Sequence, residues 1–197
     1  MQCPPNVTPV AAGTDLSSLF LAKDTTFLLA PSNYTITWPL APSNDPFFGS
    51  ITSLYNGTIC FSGQGASRAD VLIQVQLEGS FAEDPDPLAS QSAAFSLDLD
   101  SSGQPVRLGL QGLTLDGGAR FRGVSMGIRC LLAVEGVVMQ NLAGLSGSAV
   151  IVSDGAARLS DVQFLNNAAN TGGAVACITA DTGNPTTVEL DKVCRMS

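Results

Sequence analysis

The chain has 197 residues, 45% of them hydrophobic and only 13% charged, with 20 glycines and 11 prolines. That length suits one domain of the usual ~100–200 residues, and the low charge with abundant Gly and Pro suits a turn-rich β architecture. A net charge of −8 without any cluster of Lys and Arg disfavours nucleic acid and anionic lipid as partners; the lack of His excludes His-based triads and His metal clusters, and no run of ~18 apolar residues could span a bilayer as a helix.

The amino end, Met1-Gln2-Cys3-Pro4-Pro5-Asn6, lacks the basic start and apolar run of a secretory signal. Three N-x-T triplets, at Asn6, Asn33 and Asn56, are candidate glycosylation sites, and their clustering at one end fits an exported chain. Residues 15–22 predict a short capping helix, with Asp15 as N-cap ahead of Leu16, Leu19 and Phe20. Strands are expected at 26–29 and, from the alternation of Tyr34-Thr35-Ile36-Thr37-Trp38, at 34–38, with Pro31, Pro39, Pro42 and Pro46 in the loops between.

Residues 1–57 therefore read as an amino-terminal cap with the first strands, and 58–105 as irregular rungs. Thr58-Ile59-Cys60-Phe61-Ser62 runs into a Gly63-Gln64-Gly65 turn, and Val71-Leu72-Ile73-Gln74-Val75 follows. Glu83-Asp84-Pro85-Asp86-Pro87 cannot form a central strand and is expected to be an excursion from one rung. Phe95, Leu97 and Leu99 then alternate with Ser96, Asp98 and Asp100, which puts the first three inward, and Ser101-Ser102-Gly103 is a turn.

From 106 onward the chain repeats itself. Leu110-Gln111-Gly112-Leu113-Thr114-Leu115, Val134-Glu135-Gly136-Val137-Val138-Met139 and Leu159-Ser160-Asp161-Val162-Gln163-Phe164 start 24 and 25 residues apart, and a fourth copy begins at Leu190. Gly123, Gly147 and Gly172 open a second landmark at similar steps. A period of this length marks a solenoid, whose single repeat cannot bury its apolar face until a neighbour stacks on it. Within the repeat, Leu113 and Leu115, Val137 and Met139, and Val162 and Phe164 share one strand face and should point inward, after a bend at Gln111-Gly112, Glu135-Gly136 and Ser160-Asp161. A second strand is expected to carry inward Met126 and Ile128, then Val150 and Val152, then Val175 and Cys177. The expected fold is all-β, a parallel β-solenoid.

These features resemble right-handed parallel β-helix proteins of the pectin-lyase-like superfamily. Phe164-Leu165-Asn166-Asn167 followed by Gly172-Gly173-Ala174-Val175 is similar to the FxxN and GGA[IV] pair of polymorphic outer-membrane-protein repeats, also seen in large cell-surface proteins of algae and other microbes. In the preceding rung Met139-Gln140-Asn141-Leu142 and Gly147-Ser148-Ala149-Val150 keep the spacing and change the letters. The resemblance covers roughly half the chain and implies a surface module or, in the enzymes of that fold, a polysaccharide lyase or glycosidase. Lyases of this fold bind Ca²⁺ through carboxylates and use a basic residue as base. Asp98, Asp100 and Asp116, with Arg120 and Arg122 nearby in sequence, are the residues that could do so, although Asp at strand ends and turns is ordinarily a solvated residue. The Asn residues Asn141, Asn166 and Asn167 follow the inward strand in successive rungs, and an amide ladder satisfying backbone groups at a bend is expected there.

Five cysteines, at 3, 60, 130, 177 and 194, form no C-x-x-C pair, which leaves zinc and thioredoxin chemistry without support. A bridge between Cys3 and Cys60 would pin the cap to the first rung in an oxidising compartment. Cys177 is expected in a buried column and Cys194 on the outside. Arg195 stands where Phe164 predicts an apolar residue, so an open final rung is expected, belonging to a longer β-helix or joining end to end with another copy. No cofactor is implied. The functional expectation is a non-catalytic extracellular or cell-surface module, structural or adhesive, contacting polysaccharide or protein; the competing class is a carbohydrate-active enzyme.

Overall fold

The computed structural model describes residues 1–19, 24–38, 57–77, 93–97, 104–178 and 185–196. The chain winds as a parallel β-helix, each coil contributing one strand to each of several sheets. It begins with β1 (Val7–Val10) and β2 (Thr25–Leu29), then β3 (Ser32–Trp38), β4 (Gly57–Gly63), β5 (Val71–Leu77) and β6 (Ala93–Leu97). The regular coils are β7 (Val106–Gln111), β8 (Thr114–Asp116) and β9 (Arg122–Met126); β10 (Leu131–Glu135), β11 (Val138–Gln140), β12 (Ala143–Ser146) and β13 (Val150–Ser153); and β14 (Ala156–Ser160), β15 (Gln163–Leu165), β16 (Ala168–Thr171) and β17 (Val175–Ile178). β18 (Thr187–Asp191) and β19 (Cys194–Met196) follow. The first sheet runs β1-β2-β4-β7-β10-β14-β18, the second β3-β5-β8-β11-β15-β19, the third β6-β9-β13-β17, and β12 pairs with β16 as a small fourth.

The repeat dictates this register directly. Leu110 pairs with Val134 and Val134 with Leu159, while Leu115 pairs with Met139 and Met139 with Phe164, every ladder parallel. Leu113, Leu115, Val137, Met139, Val162 and Phe164 are all buried, as the alternation requires. Between the first and second sheets each of the last four coils bends through one residue with positive φ: Gly112, Gly136, Asp161 and Lys192, at φ 60°, 61°, 51° and 52°. Glycine accepts that conformation freely, whereas Asp161 and Lys192 take it against a modest steric cost. Farther up the core, Phe27 stacks on Phe61 with centroids 5.3 Å apart and Phe61 leans on Phe95 at 5.8 Å, a continuous aromatic column through the irregular coils.

Three expectations are corrected. The second strand of the 110s coil is out of step by two residues: Val124 pairs with Val150 and Met126 with Val152, so Val124 and Met126 fill the core and Ile128 is only half-buried. The cause is a shorter corner in that coil, which turns through Gly117-Gly118-Ala119-Arg120 and has no counterpart of β12. Cys177 keeps the inward register opposite Val152 yet is exposed, because β17 is the last described strand of its sheet. The cap at 15–22 is a 3₁₀ turn at Leu16–Leu19 rather than an α-helix, and the rest of that span lies outside the described residues. Leu16 is nonetheless fully buried, and the turn packs against β3, closing that end of the core.

Asp15 anchors this cap. Its Oδ1 accepts the backbone N–H of Ser17 at 2.9 Å and of Thr37 at 3.3 Å, as well as the Ser17 hydroxyl. Burial works to raise its pKa, but these hydrogen bonds outweigh burial and hold the carboxyl below its ordinary value. A depressed folded pKa means the stabilisation is whole above the unfolded value near ~3.9 and disappears as pH falls through the folded one. The stability difference between the parent and Asp15→Asn should therefore be constant at neutral pH and vanish in acid, below the range where carboxylates ordinarily titrate. Denaturant midpoints measured across pH for the two proteins check this.

Candidate functional site

Side chains pointing away from the core on the first sheet form two neighbouring columns and a corner. Cys60, Gly109, Ala133, Arg158 and Glu189 make one column, and Thr58, Arg107, Leu131, Ala156 and Thr187 the next. Cys60 is bonded to Cys3, with the two Cα atoms 5.7 Å apart, so residues 1–6 are tied down along the outside of this sheet. Thr26 helps, its hydroxyl donating to Pro4 O at 2.7 Å and its N–H to Asn6 O at 2.8 Å. Gly109 is needed beside the bridge, since a Cβ there would stand 3.0 Å from Cys3 Sγ and closer still to Cys60 Sγ. Beside Met1 and Gln2 the small residues leave a trough of about 420 Å³, flanked by Arg107 and Arg158.

At the corner where the first sheet bends into the second, a groove of about 500 Å³ follows the solenoid axis past Gln111, Glu135, Ser160, Asp161 and Lys192. Its side chains couple along the axis: Gln111 Nε2 donates to Glu135 Oε2 at 3.5 Å and Ser160 Oγ to Asp191 Oδ2 at 3.3 Å. Arg68, on the turn at Arg68–Asp70, reaches over this corner. It donates from Nη1 to Asp161 O at 3.0 Å and pairs through Nη2 with Asp161 Oδ2 at 2.9 Å, while its carbonyl accepts the Thr114 hydroxyl at 2.9 Å. Trough and groove meet at Glu135, Arg158 and Ser160, where a smaller hollow of about 220 Å³ joins them. The groove presents alternating donors and acceptors at the ~4.8 Å spacing of parallel strands, whereas the trough that joins it is lined largely by Leu131, Leu132, Ala156 and Ala157.

Of the candidate carboxylates only Asp116 is among the described residues, and it lies away from this face. Asp116, on the second sheet, is committed to its own corner: Oδ1 accepts the Gly118 N–H at 2.9 Å, and Oδ2 accepts Gln140 Nε2 at 2.9 Å and Asn141 Nδ2 at 3.0 Å. It caps the Gly117-Gly118 turn. Arg122 is buried at a different corner. Asp98 and Asp100 lie outside the described residues, and among the described residues no three carboxylates or thiols converge as a metal site requires.

No family model, curated protein or solved structure matches the chain. The assignment of each repeat residue therefore rests on geometry. Asn167 performs the ladder role, its Oδ1 accepting Leu142 N–H and its Nδ2 donating to Met139 O, both at 2.9 Å. Asn141 differs, spending its amide on Asp116, and both Asn141 and Asn166 occupy positive-φ positions at 51°. Gly147, Gly172 and Gly173 also have positive φ, and a Cβ at Gly147 would come 2.9 Å from Ala176 N. Of the glycosylation candidates, Asn33 is exposed on β3 and Asn6 is exposed with its Nδ2 donating to Thr25 Oγ1 at 3.3 Å; Asn56 lies outside the described residues. Cys130 is buried and Cys194 exposed. No helix among the described residues is long and apolar enough to cross a membrane.

Sequence reasoning missed Arg68, Arg107 and Arg158. Ser67-Arg68-Ala69-Asp70 carried a usable signal, since Asp70 Oδ2 accepts the Ser67 N–H at 2.8 Å in the manner of a capping box and fixes the turn that aims Arg68.

Proposed function

We propose that this chain is a non-catalytic module of an extracellular or cell-surface protein, structural or adhesive in role, which holds an extended polysaccharide or protein partner along the outer face of its first sheet. The observation that carries this reading is the axial run of hydrogen-bonding side chains from Gln111 through Glu135 and Ser160 to Asp191, open at the surface and aligned by the strand register. A linear hydroxyl-rich polymer can make the same contact coil after coil, so weak single contacts add along its length. The Cys3–Cys60 bridge supports an oxidising compartment. The FxxN and GGA[IV] pairing, and with it the likeness to pectin-lyase-like surface proteins, belongs to this proposal as well.

A panel of neutral and acidic polysaccharides, assayed for binding and for product release, tests it. Binding without release is expected, weakened at least tenfold by Gln111→Ala combined with Ser160→Ala. Asp116→Asn should leave binding intact and cost only about 1 kcal/mol of stability, the scale of a weakened turn cap. Release of shortened chains that is abolished by Asp98→Asn, Asp100→Asn and Asp116→Asn together would establish the carbohydrate-active enzyme instead.

A further inference from the structure

Arg122 opens β9 and is only 5% exposed. Counting back from the pairs Val124–Val150 and Val150–Val175, it occupies the place held by Ser148 and Gly173 in the next two coils. The repeat thus closes this corner with small residues and has no structural need for a long basic one. Arg122 Nε donates to Gly147 O at 3.1 Å. The guanidinium lies against the backbone of Gly144, where an added Cβ would stand 3.1 Å from Nε and 3.3 Å from Nη2.

Among the described residues that carbonyl answers one of five N–H donors. Among the described residues no carboxylate comes within ion-pair distance, the two ion pairs being Arg68–Asp161 and Arg158–Glu189. Burial lowers the pKa of the guanidinium from its ordinary value. A methionine would fill the same space under Gly144 without a charge to desolvate, so packing does not account for the guanidinium. The stem is buried while the unbonded Nη groups keep an edge on solvent; a fixed cation in that setting calls for a counter-charge, and a guanidinium edge matches the paired oxygens of a carboxylate or sulfate.

We propose that the corner between the second and third sheets at Arg122 is an oxyanion site, taking a carboxylate or sulfate group either as a free ion or as a substituent of an acidic glycan. The site lies apart from the first-sheet face and stands whether or not that face binds polymer.

The test uses the full chain and two probes, sodium sulfate and sodium acetate, each titrated against sodium chloride at matched ionic strength. The expected result is a saturable rise in the parent's melting temperature, accompanied by a saturable shift of the Arg122 Nε–Hε resonance. Arg122→Met should lack the saturable rise. Parallel shifts in parent and variant, or an Nε–Hε resonance that does not move, would overturn the site; the resonance decides the matter even where Arg122→Met fails to fold. A second arm neutralises Glu83, Asp84 and Asp86 to Gln, Asn and Asn. A saturable anion response appearing only in that variant would mean the chain supplies its own counter-charge, which also overturns the proposal. With the site supported, a sulfated oligosaccharide saturating at tenfold lower concentration than free sulfate identifies the glycan source, and equal midpoints identify the free ion.

Discussion

Replacing Cys3 or Cys60 by Ala should cost the fold about 4 kcal/mol, the chain-entropy value for opening a loop of the observed length. The two cysteines are 57 residues apart, and between them lie β1 to β3, the 3₁₀ turn and the start of β4. Without the bridge, residues 1–6 keep, among the described residues, the hydrogen bonds to Thr25 and Thr26, and the trough beside Met1 loses one wall. In a chain of this size the loss corresponds to roughly 10 °C in melting temperature. Cys3→Ala, Cys60→Ala and the reduced parent should melt together, well below the oxidised parent. Gly109→Ala should fall between them, because its methyl group presses on both sulfurs and either displaces the bridge or shifts β7. A reduced parent melting with the oxidised one would show that the amino-terminal segment contributes little to the fold.

The sequence carried the core of this architecture because stacking forces like residues into columns, and columns appear in a sequence as a period. Leu110, Val134 and Leu159 recur at matching steps for that reason, and their pairing follows the same alignment. The two-residue slip at Met126 leaves no mark in the sequence for an equally physical reason. Strand side chains alternate with period 2, so a shift of two keeps every residue on its proper face, and Met126 with Ile128 satisfied the pattern as well as Val124 with Met126. Only the shortened corner at 117–120 distinguishes them, and corners carry no alternation.

Cys177 shows a second limit, since its column fixes its direction while burial depends on what stacks next. The arginines show a third. Arg68 acts 93 residues away at Asp161 from a turn outside the columns, and Arg122 reaches Gly147 in the next coil, so no periodic signal could reveal them. The candidate carboxylate Asp116 was legible as a residue at a strand end, yet its role depended on Gln140 and Asn141 from the next coil.

Leu113→Asp should be the most damaging single change in the regular coils. Leu113 is fully buried directly after the Gly112 bend, and its carbonyl accepts the Val138 N–H at 3.0 Å, so backbone and side chain are both fixed between stacked coils. Losing the leucine forfeits about 2–3 kcal/mol of apolar burial, and a carboxyl group in its place has no partner, adding several kcal/mol more. The sum lies at or beyond the ~4–5 kcal/mol regarded as exceptional for one substitution, and a cooperative transition should be lost or displaced to very low denaturant. Val162→Asp should follow the same course one coil on from Val137, since Val162 is also fully buried. Gln163→Asp, adjacent in sequence but on the outward face, should cost under about 1 kcal/mol, as surface changes do. Equilibrium denaturation of the three variants followed by far-ultraviolet circular dichroism separates the cases. A lower midpoint for Gln163→Asp than for Val162→Asp would mean that inward and outward positions had been exchanged, and with them the register of the second sheet.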